Sequence, residues 1–210
     1  IPIATGRRLL DGVAANGGLL EDHGQAICDL EVARALTGRH NWQNAAAAYA
    51  ATRAMGIDPE VIARALLSFP GLAHRMEHIA AIDGVQFIND SKATNAEAAA
   101  RALACFNSIY WIAGGRNKGV DLAVLGRSRP RAVVAIGEAA DEIVEAFAGR
   151  CPVHEAASMD EAVALAHEAA DGSGTVLLSP GCSSFDWYGS YVERGLDFGR
   201  IVRSLDGAGA

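Results

Sequence analysis

Val85-Gln86-Phe87-Ile88 runs into Asn89-Asp90-Ser91-Lys92-Ala93-Thr94-Asn95, which runs into the alanine-rich residues 96–106. An apolar run, a polar turn and a helix-forming stretch, in that order, predict a strand, a loop at its C-terminal end and a helix start. Open α/β sheets bind ligands at such places. Strand ends open into a crevice there, and a helix start points unpaired N–H groups outward. The turn brings a carboxylate, an ammonium, hydroxyls and amides together, which suits a ligand bearing phosphate or carboxylate groups. A surface pair of Asp90 and Lys92, with Thr94 or Asn95 capping the helix, accounts for the same residues.

The alternation continues downstream. Residues 76–82 and 85–88 read as a β-hairpin about Asp83-Gly84. Strands are predicted at 109–113, at 132–136, near Val153 and at 175–178. Helices are predicted at 95–106 and after residue 136, the latter with Ala140, Ile143, Val144 and Phe147 inward. Another opens at the capping box Ser158-Met159-Asp160-Glu161. The last carries Phe198, Ile201, Val202 and Leu205 inward, and its interior Gly195 and Gly199 are expected to weaken it by roughly 1 kcal/mol each. The tail 206–210 is expected to fray. Strands alternating with helices imply an α/β, Rossmann-like, mostly parallel sheet with helices on both faces.

Upstream the pattern differs. Residues 1–38 read as a short antiparallel meander, with turns at Asn16-Gly17 and Asp22-His23-Gly24, and residues 32–36 fit either a strand or a helical turn. A helix is predicted from Asn41 to Gly56. Asn41 and Asn44 lie three apart on its first turn, where two amides can read a heteroaromatic edge, or cap the helix and face solvent. A second helix opens at Asp58-Pro59-Glu60, with an apolar stripe of Val61, Ile62, Ala65 and Leu66. Phe69-Pro70-Gly71 stops it. The chain therefore divides into 1–72, a partial domain of short antiparallel strands and two helices, and 73–210.

Composition narrows the function. A net charge of −7 argues against nucleic acid or an anionic membrane as partner. No apolar run reaches transmembrane length and no signal peptide opens the chain. The sequence does not open on Met, and an excised piece is expected. The four cysteines are far apart and read as reduced cytosolic thiols, with Cys182 structural. No histidine pair has ligand spacing, so no metal site is expected within this chain. There is no P-loop, no G-x-G-x-x-G after a strand and no G-x-S-x-G.

Three loops follow predicted parallel strands and so share one edge: 89–95, Gly114-Gly115-Arg116-Asn117-Lys118-Gly119, and Ser179-Pro180-Gly181-Cys182-Ser183-Ser184-Phe185-Asp186. Together they place Lys92, Lys118, Thr94, Ser183 and Ser184 around one small anionic ligand.

These loops, with Arg39-His40-Asn41-Trp42-Gln43-Asn44-Ala45, Gly71-Leu72-Ala73-His74-Arg75-Met76-Glu77 and Glu193-Arg194-Gly195, occur in an order that resembles the ATP-dependent Mur ligases of peptidoglycan synthesis. Their D-glutamate-adding branch is the most similar. The resemblance implies the end of a central ATPase domain followed by a C-terminal amino-acid-binding domain. The P-loop and the Mg2+ ligands would belong to a missing part, and this fragment alone would be inactive. It also implies a cytoplasmic, monomeric ligase acting on ATP, D-glutamate and UDP-N-acetylmuramoyl-L-alanine through an acyl phosphate. Carried over, Asn41 and Asn44 contact adenine, and Arg75, Asp90 and Lys92 contact ribose and phosphates. Thr94 and Lys118 grip the α-carboxylate of D-glutamate, while Ser184, Phe185 and the backbone at Tyr191 hold its side-chain carboxylate. Lys92 and Lys118 are the expected catalytic pair. Gly181, Tyr191 and Arg116 depart from the usual residues, and Arg116 adds charge near the amino acid. A ligase for another amino acid, a folylpolyglutamate-type ligase and a free-standing binding module fit the same motifs less fully.

Overall fold

In a computed structural model, which describes residues 1–119 and 121–207, the chain divides into two compact units, Ile1–Gly71 and Leu72 onward. The end of the tail expected to fray, residues 208–210, lies outside the described residues.

The first unit holds a four-stranded sheet in the order β1 (Ile3–Thr5), β2 (Val13–Asn16), β3 (Leu19–Asp22), β4 (Gln25–Asp29). Strands β2 to β4 form the expected meander, but β1 pairs parallel to β2. Three residues after Ile1-Pro2 are too few to show alternation, so nothing in the sequence marks β1. Residues 30–36 form two short 3-10 turns. Helix α1 spans Arg39–Ala54, two residues earlier than expected, because Gly38 at φ +94° takes the cap position. Helix α2 (Pro59–Leu67) is capped by Asp58, whose side chain accepts from Glu60 N. Its buried stripe is Ile62 and Ala63 with Leu66 half-buried, while Val61 and Ala65 face out, a rotation from the expected face. Tyr49, Leu20 and Leu30 are fully enclosed in this unit's core.

The second unit is built on β5 (Glu77–Ile82), β6 (Val85–Asn89), β7 (Ile109–Gly114), β8 (Ala132–Ile136), β9 (Val153–Ala156) and β10 (Gly174–Gly181). Their order is β5-β6-β10-β7-β8-β9, with β5 antiparallel at one edge and the other five parallel. Side chains alternate across the sheet as the strand period requires. Ile88, Trp111, Ala113, Val133 and Leu177 meet α3 (Ala96–Leu103) and α4 (Ala140–Phe147) on one face. Phe87, Ile112, Val134, Val176 and Leu178 meet α5 (Met159–Ala170) and α6 (Tyr191–Gly207) on the other. A 3-10 segment, Leu122–Arg127, also closes the first face through Leu122 and Leu125.

Strand β10 is longer than expected. It runs to Gly181, with a register shift against β7 after Leu178, so the loop opens at Cys182 rather than Ser179. A Ser-Pro-Gly sequence carries turn signals, but β10 is the central strand, and burial on both sides outweighs them. Strand β10 returns from the far edge to lie between β6 and β7. The chain leaves β6 toward the face that α3 covers and leaves β10 toward the face that α6 covers, the kind of place where open α/β sheets bind ligands.

Candidate functional site

The loop after β6 is rigidly seated. Asp90 is buried, its Oδ1 accepts from Met76 N at 3.2 Å and its Oδ2 from Ser179 Oγ at 2.9 Å. Burial pushes its carboxyl up to about 6, against the pull of those two hydrogen bonds and of Arg75. Ser91 is wholly enclosed and donates through Oγ to Tyr191 O at 2.8 Å. Asn95 caps α3 by accepting from Ala98 N at 2.9 Å. Between these anchors Lys92 points outward, its backbone N–H donating to His74 O at 3.0 Å and its ammonium 5.6 Å from the centre of the Tyr191 ring. Thr94 is half-buried beside it.

The loops after β7 and β10 are tied to each other. Arg116 N donates to Ser183 O at 2.9 Å, and Ser183 donates back to Arg116 O through its N–H at 3.1 Å and its Oγ at 2.9 Å. Gly115 is needed at this crossing: its φ is +122°, and a Cβ there would lie 2.3 Å from Ser183 O. Lys118 is exposed, its ammonium 5.9 Å from the centre of the Phe185 ring. Ser184 is buried and its carbonyl accepts from Tyr188 N at 2.8 Å. Cys182 is buried as a structural thiol, pushed up to about 11 by its burial.

Arg116 does not add a free charge to this edge. It forms a two-pronged pair with Glu138, Nε to Oε2 at 2.9 Å and Nη2 to Oε1 at 2.8 Å. The pair holds the Glu138 carboxyl below the usual range, and Glu138 N is in turn received by Asp186 Oδ2 at 3.0 Å. Spacing alone cannot show such a pair, because its members lie on different strands' loops.

Of the residues singled out from sequence, Lys92, Thr94, Lys118, Ser184, Phe185 and Tyr191 fall on loops or helix starts at this one edge. Asp90 is there but turned inward. Arg75 is exposed on the short segment before β5, its N–H donating to Leu72 O at 3.1 Å. Asn41 and Asn44 belong to the first unit. Asn41 is buried within the first turn of α1 rather than capping it, its Nδ2 donating to Thr37 O at 2.9 Å, and Asn44 is exposed.

Sequence reasoning passed over two buried clusters. Arg194 is 1% exposed, donates from Nε to Ser91 Oγ and from Nη2 to Ser91 O and Cys182 O, and burial pulls its guanidinium down to about 10. Asn89 Nδ2 lies 3.1 Å from His74 Nδ1, 3.0 Å from Glu77 Oε2 and 3.2 Å from Gly195 O. The signal available for both was the Glu193-Arg194-Gly195 run, a charged pair and a glycine inside a predicted helix.

Two exposed ammonium groups, those of Lys92 and Lys118, thus stand at one strand edge on loops held by buried contacts, a chemistry suited to an anion. Residues 74–182 match the family model described as Mur ligase, glutamate ligase domain. This chain belongs to the Mur ligase family. It is similar to proteins named UDP-N-acetylmuramoylalanine–D-glutamate ligase. One, from Phenylobacterium zucineum, is 44% identical over 214 residues, covering 98% of this chain and 46% of the relative. Another, from Rhodospirillum rubrum, is 46% identical over 204 residues, covering 92% and 43%. The Mur ligase chain thus spans a little under half the length of the curated relatives it matches. Its fold is also that of Thermotoga maritima UDP-N-acetylmuramate-alanine ligase, with a TM-score of 0.63 at 17% identity over 89% of this chain and 43% of that one. Mycobacterium tuberculosis folylpolyglutamate synthase gives 0.58 at 19% over 92% and 46%.

Proposed function

We propose that this chain is the C-terminal part of a ligase that joins D-glutamate to UDP-N-acetylmuramoyl-L-alanine in peptidoglycan precursor synthesis. The observation that carries the reading is identity of 44% and 46% across nearly the whole chain to relatives bearing that one name. ATP phosphorylates the muramoyl-alanine carboxylate to an acyl phosphate. The D-glutamate amine attacks, its proton leaves, and an amide, ADP and phosphate result. The residues up to 72 would end the central nucleotide-binding domain, and those from 73 would form the amino-acid domain.

The residue roles are those the family resemblance implies. Lys92 faces outward and would meet the phosphates, with Arg75, while Asn41 and Asn44 would meet the adenine. Asp90, being buried and doubly bonded, would act on the nucleotide through the loop it holds. Thr94 and Lys118 would take the α-carboxylate, and Ser184, Phe185 and the Tyr191 backbone the side-chain carboxylate. Two carboxylates call for two donor clusters, and charge-assisted bonds supply the strength. Mg2+ would neutralise phosphate charge when bound. The donor set at this edge fits anions rather than a divalent cation, and no group of three or more His, Cys, Asp or Glu side chains among the described residues is placed to hold one. The family resemblance assigns the metal to the central nucleotide-binding part of the ligase. No helix among the described residues is long and apolar enough to cross a membrane. We propose a cytoplasmic monomer.

The test is a phosphate-release assay of the full-length ligase with ATP, UDP-N-acetylmuramoyl-L-alanine and a panel of amino acids. Turnover with D-glutamate alone is expected, and no ADP release from the 210-residue chain by itself. Preference for another amino acid overturns the reading.

A further inference from the structure

The chain has eighteen basic side chains, of which sixteen are arginine and two are lysine, Lys92 and Lys118. Both lysines lie in loops at the same strand edge, and each ammonium stands over an aromatic face: Lys92 over Tyr191 at 5.6 Å, Lys118 over Phe185 at 5.9 Å. Phe185 lies in the connection from β10 to α6, and Tyr191 opens that helix. Within about 6 Å of a ring centroid an ammonium is attracted by the electron-rich face. An exposed lysine otherwise wanders over many rotamers, so this attraction narrows where its charge sits.

The Tyr191 ring is itself held. Its carbonyl receives Ser91 Oγ at 2.8 Å, one residue before Lys92, so ring and ammonium are set in register by their own backbones. The buried His74 ring also meets it edge-on, centroids 6.2 Å apart at 77°. His74, Tyr191 and Lys92 thus form a short chain of contacts ending in a charge. At Lys118 the equivalent register comes from the Arg116–Ser183 backbone crossing, two residues before each partner.

We infer that Tyr191 and Phe185 are positioning residues, each ring holding one of the chain's two lysines ready at the anion edge. A ring suits this task better than a carboxylate. It orients the ammonium without neutralising it, and leaves its N–H groups free for an incoming anion. The inference concerns geometry and stands apart from the ligase reading; its catalytic consequence rests on that reading.

Labelling with 13C,15N-lysine gives two sets of side-chain signals, one per lysine. The ε-methylene protons of both are expected upfield of free lysine through ring currents. Tyr191→Phe should keep the Lys92 shift, Tyr191→Leu should abolish it while leaving Lys118 in place, and Phe185→Leu should do the reverse. Unshifted signals in the unaltered chain, or shifts that survive both leucine variants, overturn the inference. The unaltered chain alone decides the first point, so a variant that fails to fold does not blunt the test. In the full-length ligase, Tyr191→Leu should change KM or kcat by about two- to fivefold, with Tyr191→Phe restoring it. Upfield shifts without any turnover on D-glutamate would count against the ligase reading and leave the ring–lysine geometry standing.

Discussion

Arg194 grips Ser91 twice, from Nε to the serine Oγ and from Nη2 to its carbonyl oxygen, each at 3.0 Å. A third bond, to Cys182 O at 3.1 Å, makes one guanidinium the joint between the loop after β6 and the loop after β10. Its Nη1 is buried with no hydrogen-bond partner among the described residues.

Two effects oppose each other at Arg194. The enclosed charge and the idle Nη1 cost stability, while three charge-assisted bonds contribute roughly 1.5–3 kcal/mol each. The bonds win, because removing the side chain leaves two buried carbonyls and a cavity. Arg194→Ala should destabilise the second unit by about 3 kcal/mol or more, read as a lowered urea midpoint. Arg194→Lys should recover only part, since an ammonium cannot serve the same three acceptors in a plane.

Asp90 gives the second unit a signed pH dependence. Its folded carboxyl is raised from 3.8 to about 6, so between those values the folded state holds the proton more tightly. The stability it contributes is present in full below about pH 4 and is lost as the pH rises through 6. Asp90→Asn keeps an acceptor for Met76 N and can donate to Ser179 Oγ. It should flatten this dependence and make the unit more stable at pH 7.5, by about 1–2 kcal/mol after allowance for imperfect bonding. Urea titrations at pH 4.5 and 7.5 decide it; an unchanged slope sinks the assignment.

The two glycines inside α6 should answer alanine with opposite signs. At Gly195 a Cβ would lie 2.3 Å from His74 Nδ1 and 3.1 Å from Asn89 Nδ2, against the buried cluster that seats β6. Gly195→Ala should destabilise by about 1–3 kcal/mol despite its better helix propensity. At Gly199 the nearest atoms are the far end of Arg203 at 3.2 Å and Ile79 Cδ1 at 3.6 Å, which can yield. Gly199→Ala should stabilise by up to about 1 kcal/mol. Thermal melts of the two variants check both signs.

Glu138→Ala should leave the melting temperature unchanged, because the Arg116–Glu138 pair is exposed and such pairs contribute little to stability. In the ligase reading it should tighten D-glutamate binding at low salt by releasing a third cation at the edge. Glu138→Ala combined with Arg116→Ala should reverse the gain. Calorimetric titration at two salt concentrations reads it.

The fold class was open to reading along the chain, since periodicity and caps are local. Apolar runs of strand length, the Asn95 and Ser158 caps and the Asp58-Pro59 start each state their element within a few residues. The two lysines of the edge were readable for the same reason: a lysine in a polar loop after a strand has few other places to be, whereas the loop serines Ser91, Ser183 and Ser184 turned out to be buried. Less legible was anything settled by a partner far away in sequence. β1 became a strand through Val13, β10 outran its turn residues because strands flank it on both sides, and Gly195 proved to be a point of close approach rather than a weak spot in a helix. Asp90 and Arg116 illustrate the limit best. Their charges were plain in the sequence, but burial against Ser179 turned one inward and Glu138 occupied the other. Those are contacts across the sheet, which local pattern does not encode and long-range packing imposes.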